Sequence, residues 1–379
     1  MSRYLLLDDL VVEGRTVLVR SDLNVPIEDG EITDDFRIQA AIPTYELLLE
    51  RRARVRVCSH LGRPKGKDPA LSLEPVARRI AETTGWRVGF DDGDEMLTVL
   101  ENTRFLEGET SNDPKTAQRL ARGAECFVQD AFGSVHRAHA STVGVAEILR
   151  SAAGPLLDSE VMALGRFLGD VQRPFIVVLG GAKVSDKLGV IENLLPRVDR
   201  MLIGGGMCFT FMSAAGGEVG DSVVEEDMLG VVARLMGGED AGKLVLPEDV
   251  VASDRFAEGA ETRVVAASSI PSGWMGLDIG PAASARFGGE IAASTSVFWN
   301  GPMGVFEWRG FRGGTEAVAR AMGEVEGFTA VGGGDSVAAL RDLGLAETVS
   351  HVSTGGGAGL ELLEGRSLPG IAVLERWFE

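Results

Sequence analysis

Along the chain, short β-branched apolar runs alternate with polar or glycine-rich turns, and most of these turns lead into ten or more residues of helical pattern. That alternation is the sequence sign of βαβ units built around parallel sheets. In the first half, Thr16–Arg20, Arg54–Cys58 and Cys126–Gln129 read as strands, with an amphipathic helical pattern around Ile42–Leu49. In the second half the strand candidates are Phe175–Leu179, Arg200–Ile203, Leu244–Leu246, Val297–Trp299 and Thr329–Val331, most of them followed by glycine. The expected fold class is α/β, with two domains, each a parallel β-sheet flanked by helices. The helical stretch Gly154–Gly169, ahead of Arg173 and Pro174, is the candidate connection between them. Open α/β sheets bind ligands beyond the carboxyl ends of their strands, so the turns after these runs are where chemistry is expected.

Length and composition agree with this picture. At 379 residues the chain exceeds the size at which a single hydrophobic core stops growing. With 45% hydrophobic and 25% charged residues it falls among ordinary packed proteins. No run of about 18 consecutive apolar residues occurs, and Met1–Leu10 lacks a basic segment followed by an apolar one, so a cytoplasmic location without a membrane partner is expected. Cys58, Cys126 and Cys208 lie far apart inside apolar runs and read as small buried hydrophobes rather than a disulfide or zinc set.

The formal net charge of −19 argues against a nucleic-acid partner, which needs clustered cations, but not against a small anion. The lysines are Lys65, Lys67, Lys115, Lys183, Lys187 and Lys243, against a large excess of Asp and Glu. Such an acidic, lysine-poor surface resembles that of proteins kept hydrated in high salt, a halophilic-like character that stands beside the plainer reading of an acidic cytosolic protein.

In this acidic background, basic side chains recur at strand ends of the first half. The turn Arg20-Ser21-Asp22-Leu23-Asn24-Val25-Pro26 is followed by Arg37 at the start of a helical run. Then come Ser59-His60-Leu61-Gly62-Arg63-Pro64-Lys65-Gly66, Arg104, and His136-Arg137-Ala138-His139. Arg matches carboxylate and phosphate through its planar fork, so the set suggests a polyanionic small molecule, although any one Arg alone reads as a solvated ion pair. A metal between His136 and His139 is disfavoured by the cation beside them; anion contacts or structural hydrogen bonds are expected.

The second half carries three glycine-rich strand ends: Gly180-Gly181-Ala182-Lys183-Val184-Ser185-Asp186-Lys187, Gly204-Gly205-Gly206-Met207 and Gly332-Gly333-Gly334-Asp335-Ser336. Each is expected to turn from strand into helix, with glycines letting phosphate oxygens approach backbone N–H groups at a positive helix end. No P-loop or dinucleotide fingerprint is present, so a nucleotide would be held by another scheme. Lys183 and Lys187, four apart, are expected on one helical face toward the glycine turn. Asp335 reads as an N-cap or as a Mg²⁺ ligand beside phosphates. The Trp299-Asn300-Gly301-Pro302-Met303-Gly304-Val305-Phe306-Glu307 stretch offers apolar surface for a base and a carboxylate for ribose, or is a buried strand and turn.

These blocks, together with Glu101-Asn102-Thr103-Arg104-Phe105, Asp130-Ala131-Phe132-Gly133-Ser134 and Gly273-Trp274-Met275-Gly276-Leu277-Asp278, occur in an order that closely resembles the phosphoglycerate kinase family over nearly the whole chain. The resemblance implies a hinge-bending enzyme moving a phosphoryl group from 1,3-bisphosphoglycerate to MgADP, giving 3-phosphoglycerate and MgATP, and acting as a monomer. It implies a 3-phosphoglycerate domain over 1–153, an interdomain helix over 154–173, a nucleotide domain over 174–360, and a segment 361–379 returning to the first domain.

By carry-over, Asp22 and Asn24 would contact the glycerate, while His60, Arg63, Arg104 and Arg137 would hold its phosphate and carboxylate region. Arg37 and Lys183 would act at the reacting group. Lys183, Lys187, Gly204, Gly205, Gly276, Gly333, Gly334 and Ser336 would hold nucleotide, Glu307 the ribose and Asp335 the Mg²⁺. Departures are Leu23 where Phe is usual, Ser134 and Ser336 where Thr is common, and a region Gly85–Leu100 that looks shortened, as if lacking a peripheral helix. The rival readings are a non-catalytic relative that binds nucleotide and organic phosphate, and a kinase of another carboxylic acid; retention of Arg37 and Lys183 and of the phosphate contacts disfavours them.

Overall fold

A computed structural model describes residues 4–378. The chain forms two compact units, one running to Met162 and resuming at Ser367, the other spanning Ala163–Arg366.

The first unit is built on six strands: β1 (Thr16–Arg20), β2 (Arg54–Cys58), β3 (Val88–Phe90), β4 (Leu97–Val99), β5 (Cys126–Gln129) and β6 (Arg150–Ala153). They lie in the order β3-β4-β2-β1-β5-β6, all parallel. The strands expected from the apolar runs appear within these bounds because a parallel strand covered on both faces must be apolar at nearly every position. Val17, Val19, Val55, Val57, Val99 and Val128 are fully buried. Helix α1 (Phe36–Glu50) covers the sheet with Ile38, Ala41, Tyr45 and Leu48, and continues through Pro43. Strands β3 and β4 are parallel neighbours joined by only residues 91–96, with no helix between them, where such a connection ordinarily takes a dozen residues or more.

The second unit contains β7 (Phe175–Leu179), β8 (Arg200–Ile203), β9 (Leu244–Val245), β10 (Asp249–Ser253), β11 (Thr262–Ala266), β12 (Met275–Ile279), β13 (Ser296–Asn300), β14 (Phe328–Gly332) and β15 (His351–Val352). Its main sheet is parallel with the order β9-β8-β7-β13-β14-β15. This doubly wound arrangement reverses direction between β7 and β13, which makes the crevice beyond those two strands the expected ligand position. A second sheet, β11-β10-β12, is antiparallel. The division between the units falls within the helix Pro155–Gly165 and again after Arg366, because the helix Gly357–Leu363 still packs in the second unit, where Asn193 Nδ2 donates to Leu363 O at 2.6 Å.

Cys58, Cys126 and Cys208 are buried and free. Among the described residues, no helix is long and apolar enough to cross a membrane, and no group of three His, Cys, Asp or Glu is placed to hold a metal ion.

Candidate active site

In the first unit, the turns after β1 and β2 are tied together by side chains rather than by further sheet. Asn24 Oδ1 accepts the N–H of Gly62 at 2.8 Å. Asn102 accepts from Leu61 N at 3.2 Å and donates to Leu61 O and Leu71 O, both at 2.8 Å, clamping the 59–63 turn from below. Arg104 donates to the Gly62 carbonyl. Arg37, the second residue of α1, reaches back to Asp22 at 2.9 Å and to the Asn24 carbonyl at 3.3 Å. Asn24, expected to touch a ligand, therefore commits its amide oxygen to holding Gly62.

Around these turns, burial first and then the guanidinium groups of Arg20, Arg104, Arg137 and Arg37 hold the His60 imidazole well below its ordinary value. Burial, Arg137, Arg20 and Arg63 likewise lower Arg104. Arg63, Arg104 and Arg137 line a cavity of about 440 Å³ together with Glu109 and His139. Among the described residues none of these three guanidinium groups forms an ion pair, and the buried Nε of Arg104 has no hydrogen-bond partner. Convergent guanidinium groups without ion pairs, in a chain of net charge −19, offer the charge and geometry that a polyanion would need. His139 Nδ1 lies 3.9 Å from Glu109 Oε1, and burial lowers His139 to about 4.

In the second unit, three loops at the ends of β7, β8 and β13 interlock backbone to backbone. Gly181 N donates to Pro302 O at 2.9 Å, Gly205 N to Met303 O at 3.1 Å, Gly204 N to Leu179 O at 2.8 Å and Met207 N to Gly181 O at 3.0 Å. A Cβ at Gly180 would sit 2.1 Å from the Pro302 oxygen, and one at Gly276 would sit 2.1 Å from the Phe209 ring. Gly180, Gly204, Gly205 and Gly276 thus serve loop-to-loop or loop-to-ring contact, and the N–H groups of Gly204 and Gly205 are already used. The helix Gly334–Asp342 instead begins directly at its glycine turn. Its first N–H groups, at Gly334, Asp335 and Ser336, have no intrahelical partner and give a positive end suited to phosphate.

Lys183 and Lys187 do not share a helical face: the helix after β7 starts only at Leu188, and both lysines lie in the preceding turn. The cause is Glu225, whose carboxylate takes the N–H groups of Val184 and Ser185 and the Ser185 hydroxyl, so these residues follow the carboxylate rather than a helical ladder. These contacts hold Glu225 below the ordinary carboxylate range. Lys183 is exposed, whereas Lys187 is largely buried and bonds to the amide oxygen of Asn300 at the end of β13, across the switch point. Burial lowers Lys187, with Asp186 and Asp335 opposing.

Ser336 is buried and accepts the Gly301 N–H at 2.6 Å. Asp335, in the first turn of the helix Gly334–Asp342, and Glu307, in the loop after β13, are exposed. Trp299 is completely buried with Nε1 on Gly301 O at 2.8 Å, so it belongs to the core, the plainer of its two readings. Sequence reasoning missed Glu109 and Glu225, and quoted Arg20 and Asn300 within their turns without giving either a role of its own. Both stood at strand ends, Arg20 closing Thr16–Arg20 and Asn300 following the predicted strand Val297–Trp299, whereas Glu109 and Glu225 carried no signal.

The phosphoglycerate kinase family model matches residues 7–366. The phosphoglycerate kinase of Rubrobacter xylanophilus is 55% identical over 97% of each chain, and that of Thermus thermophilus is 53% identical over 97% of this chain and 98% of its own. Among solved structures, phosphoglycerate kinase from Coxiella burnetii matches with a TM-score of 0.90 at 40% identity, covering 99% of this chain and 100% of its own. That from Pyrococcus horikoshii matches with a TM-score of 0.88 at 30% identity, covering 99% of each chain. With unpaired cations at the strand ends of one parallel sheet and lysines beside glycine turns at the switch point of the other, the chain belongs to the phosphoglycerate kinase family of phosphotransferases.

Proposed function

We propose that the first unit holds 3-phosphoglycerate or 1,3-bisphosphoglycerate and the second holds ADP or ATP. The observation that carries this reading is the Arg63, Arg104 and Arg137 cavity, where three guanidinium groups converge and, among the described residues, none forms an ion pair. In it, Arg63, Arg104 and Arg137 bind the phosphate and carboxylate end, His60 adds a hydrogen bond, and Asp22 and Asn24 shape the glycerate side. Arg37, oriented by Asp22, addresses the transferring group.

In the second unit the N-terminus of the helix Gly334–Asp342, with Lys187, binds nucleotide phosphates, Glu307 takes the ribose, and Lys183 meets the transferring phosphoryl. Gly204, Gly205 and Gly276 support the site by letting its loops and Phe209 close up, rather than by donating to phosphate. Asp335 suits Mg²⁺: it is a single exposed carboxylate beside a phosphate-binding helix end, and this ion is commonly shared between one or two carboxylates and substrate phosphates. When bound there, Mg²⁺ would neutralise charge on the nucleotide phosphates.

Phosphoryl transfer needs no covalent enzyme intermediate; it needs in-line positioning and cations on the transferring oxygens, which Arg37 and Lys183 supply. The acyl phosphate must also be kept from water, the task we assign to hinge bending. The test is Mg-dependent ATP formation from 1,3-bisphosphoglycerate and ADP, with Lys183→Ala and Arg104→Ala alongside. Lys183→Ala is expected to lower turnover by about a hundredfold or more, on the scale of losing one charge-stabilising group. Arg104→Ala is expected to act chiefly on the KM for 3-phosphoglycerate in the reverse direction. Unchanged kinetics in both variants would overturn the assignment of sites.

A further inference from the structure

Arg20 ends β1 and is completely buried, yet among the described residues no carboxylate pairs with it directly. Its Nε donates to Ser141 Oγ at 2.9 Å, and Ser141 donates its hydroxyl to Glu109 Oε1 at 2.6 Å and its N–H to Glu109 Oε2 at 3.0 Å. Glu109 and Ser141 are themselves buried. The Nη1 group donates to the Ser21 carbonyl and, at 3.4 Å, to Ser59 Oγ. The remaining nitrogen, Nη2, lies 3.0 Å from His60 Nδ1. A buried guanidinium without an anion would be very costly, so Glu109 serves as its counterion across one serine hydroxyl.

A guanidinium offers donors only. His60 Nδ1 must therefore accept, which leaves the ring neutral with its proton on Nε2. We infer that Arg20, anchored by Glu109 through Ser141, is a positioning residue that fixes His60 as the neutral Nε2–H tautomer, so that His60 donates to a bound anion without adding charge. The inference deepens the reading of the first unit as the 3-phosphoglycerate site and rests on it for its functional part.

The surroundings agree. Arg37, Arg104 and Arg137 also face His60 and oppose a second ring proton. The nearby carboxylates are occupied, Asp22 by Arg37 and Glu109 by Ser141. The opposite tautomer would turn an Nδ1–H against the guanidinium and present a lone pair from Nε2. An anion would be repelled by that lone pair and attracted by an Nε2–H, so the tautomer decides whether His60 helps or hinders binding.

The test is long-range proton–nitrogen NMR of the imidazole rings in the full chain, which has four histidines, with His60→Gln used to assign the signal. The native protein is expected to show the Nε2–H pattern near about pH 7 and to keep it well below the ordinary imidazole midpoint of about 6.5. The double variant Arg20→Met with Glu109→Gln keeps the interior neutral. It should mix the tautomers, raise the His60 midpoint, and raise the KM for 3-phosphoglycerate roughly tenfold while leaving that for MgATP unchanged.

An Nδ1–H or imidazolium pattern in the native protein overturns the inference. So does an Nε2–H pattern unaltered in the double variant. Should that variant not fold, the native spectrum followed through a pH titration still decides, because a ring that protonates near about 6.5 cannot be accepting from Arg20. Arg104→Ala tests the anion site by itself, so loss of the site reading is distinguishable from loss of the tautomer.

Discussion

Arg37 and Asp22, fifteen residues apart in the chain, meet at 2.9 Å where the turn after β1 passes the first turn of α1. The Asp22 carboxylate is nearly buried, while the Arg37 side chain keeps about a third of its surface. Asp22 and the Asn24 carbonyl both engage Nη1, and among the described residues Nε and Nη2 have no partner. The carboxylate thus aims the guanidinium without using up its fork. Replacing Arg37 by Ala is expected to cut kcat by roughly 10²- to 10³-fold, the usual loss for one preorganised charge donor. Asp22→Asn should cost about tenfold in kcat/KM, since it loosens the aim but keeps the cation. Steady-state kinetics on both variants, with circular dichroism to confirm folding, checks the order; equal losses would contradict it.

The central parallel strands were legible because full burial on both faces leaves an unbroken apolar run, as in Phe175–Leu179, whereas the short outer strands Val88–Phe90, Leu97–Val99, Arg150–Ala153 and His351–Val352 were not. The antiparallel sheet β11-β10-β12 was not. Thr262–Ala266 is an exposed edge with little apolar contrast, and Met275–Ile279 contains a glycine that reads as a turn but lies under the Phe209 ring. In the site, charged side chains at strand ends stood out against an acidic chain. The groups that orient them did not, because Arg20 looks like the last residue of a strand and its partner Ser141 lies 121 residues away. Glycine clusters marked strand ends, but at Gly180, Gly204 and Gly205 the structure uses them for close loop-to-loop contact, since a sequence does not distinguish room for a phosphate from room for a neighbouring loop.

Glu225 holds the turn that carries Lys183, through Ser185 Oγ at 2.6 Å and the N–H groups of Val184 and Ser185. Glu225→Ala releases three donors at once and frees the turn to sample other conformations. The expected result is a fall in kcat of roughly tenfold, with the KM for 3-phosphoglycerate unchanged because that ligand is assigned to the other unit. Glu225→Gln, which keeps one acceptor, should fall between the two. A KM effect confined to 3-phosphoglycerate would contradict this role.

Asp335 sits in the first turn of the helix Gly334–Asp342, exposed and close enough to Lys187 to affect its protonation. If it is the protein's ligand to Mg²⁺, Asp335→Asn should raise the magnesium concentration for half-maximal rate by about tenfold, as loss of one charged ligand does. The same variant should leave 3-phosphoglycerate binding alone. Titrating Mg²⁺ at fixed ATP, with calorimetry of 3-phosphoglycerate as the control, separates this from general damage to the fold.

Asp130 is completely buried at the end of β5, where its carboxyl accepts from Thr44 Oγ1 at 2.6 Å and from Leu156 N and Leu157 N at 2.9 and 3.2 Å. Burial outweighs these bonds and pushes the group up to about 6. Its folded value therefore lies above its unfolded one, so the native state binds the proton more tightly. The stability this confers is fully present below about pH 4 and is lost as pH rises through about 6, by about 3 kcal/mol in all. Asp130→Asn is nearly isosteric, keeps an acceptor for the two helix N–H groups, and lets the Thr44 hydroxyl reverse to accept. Urea unfolding of the native protein and the variant near about pH 5 and about pH 7.5 should show the variant gaining relative to native at the higher pH, because it carries no charge to bury. A difference between the two proteins that stays constant across that range would mean that the buried carboxyl does not titrate there.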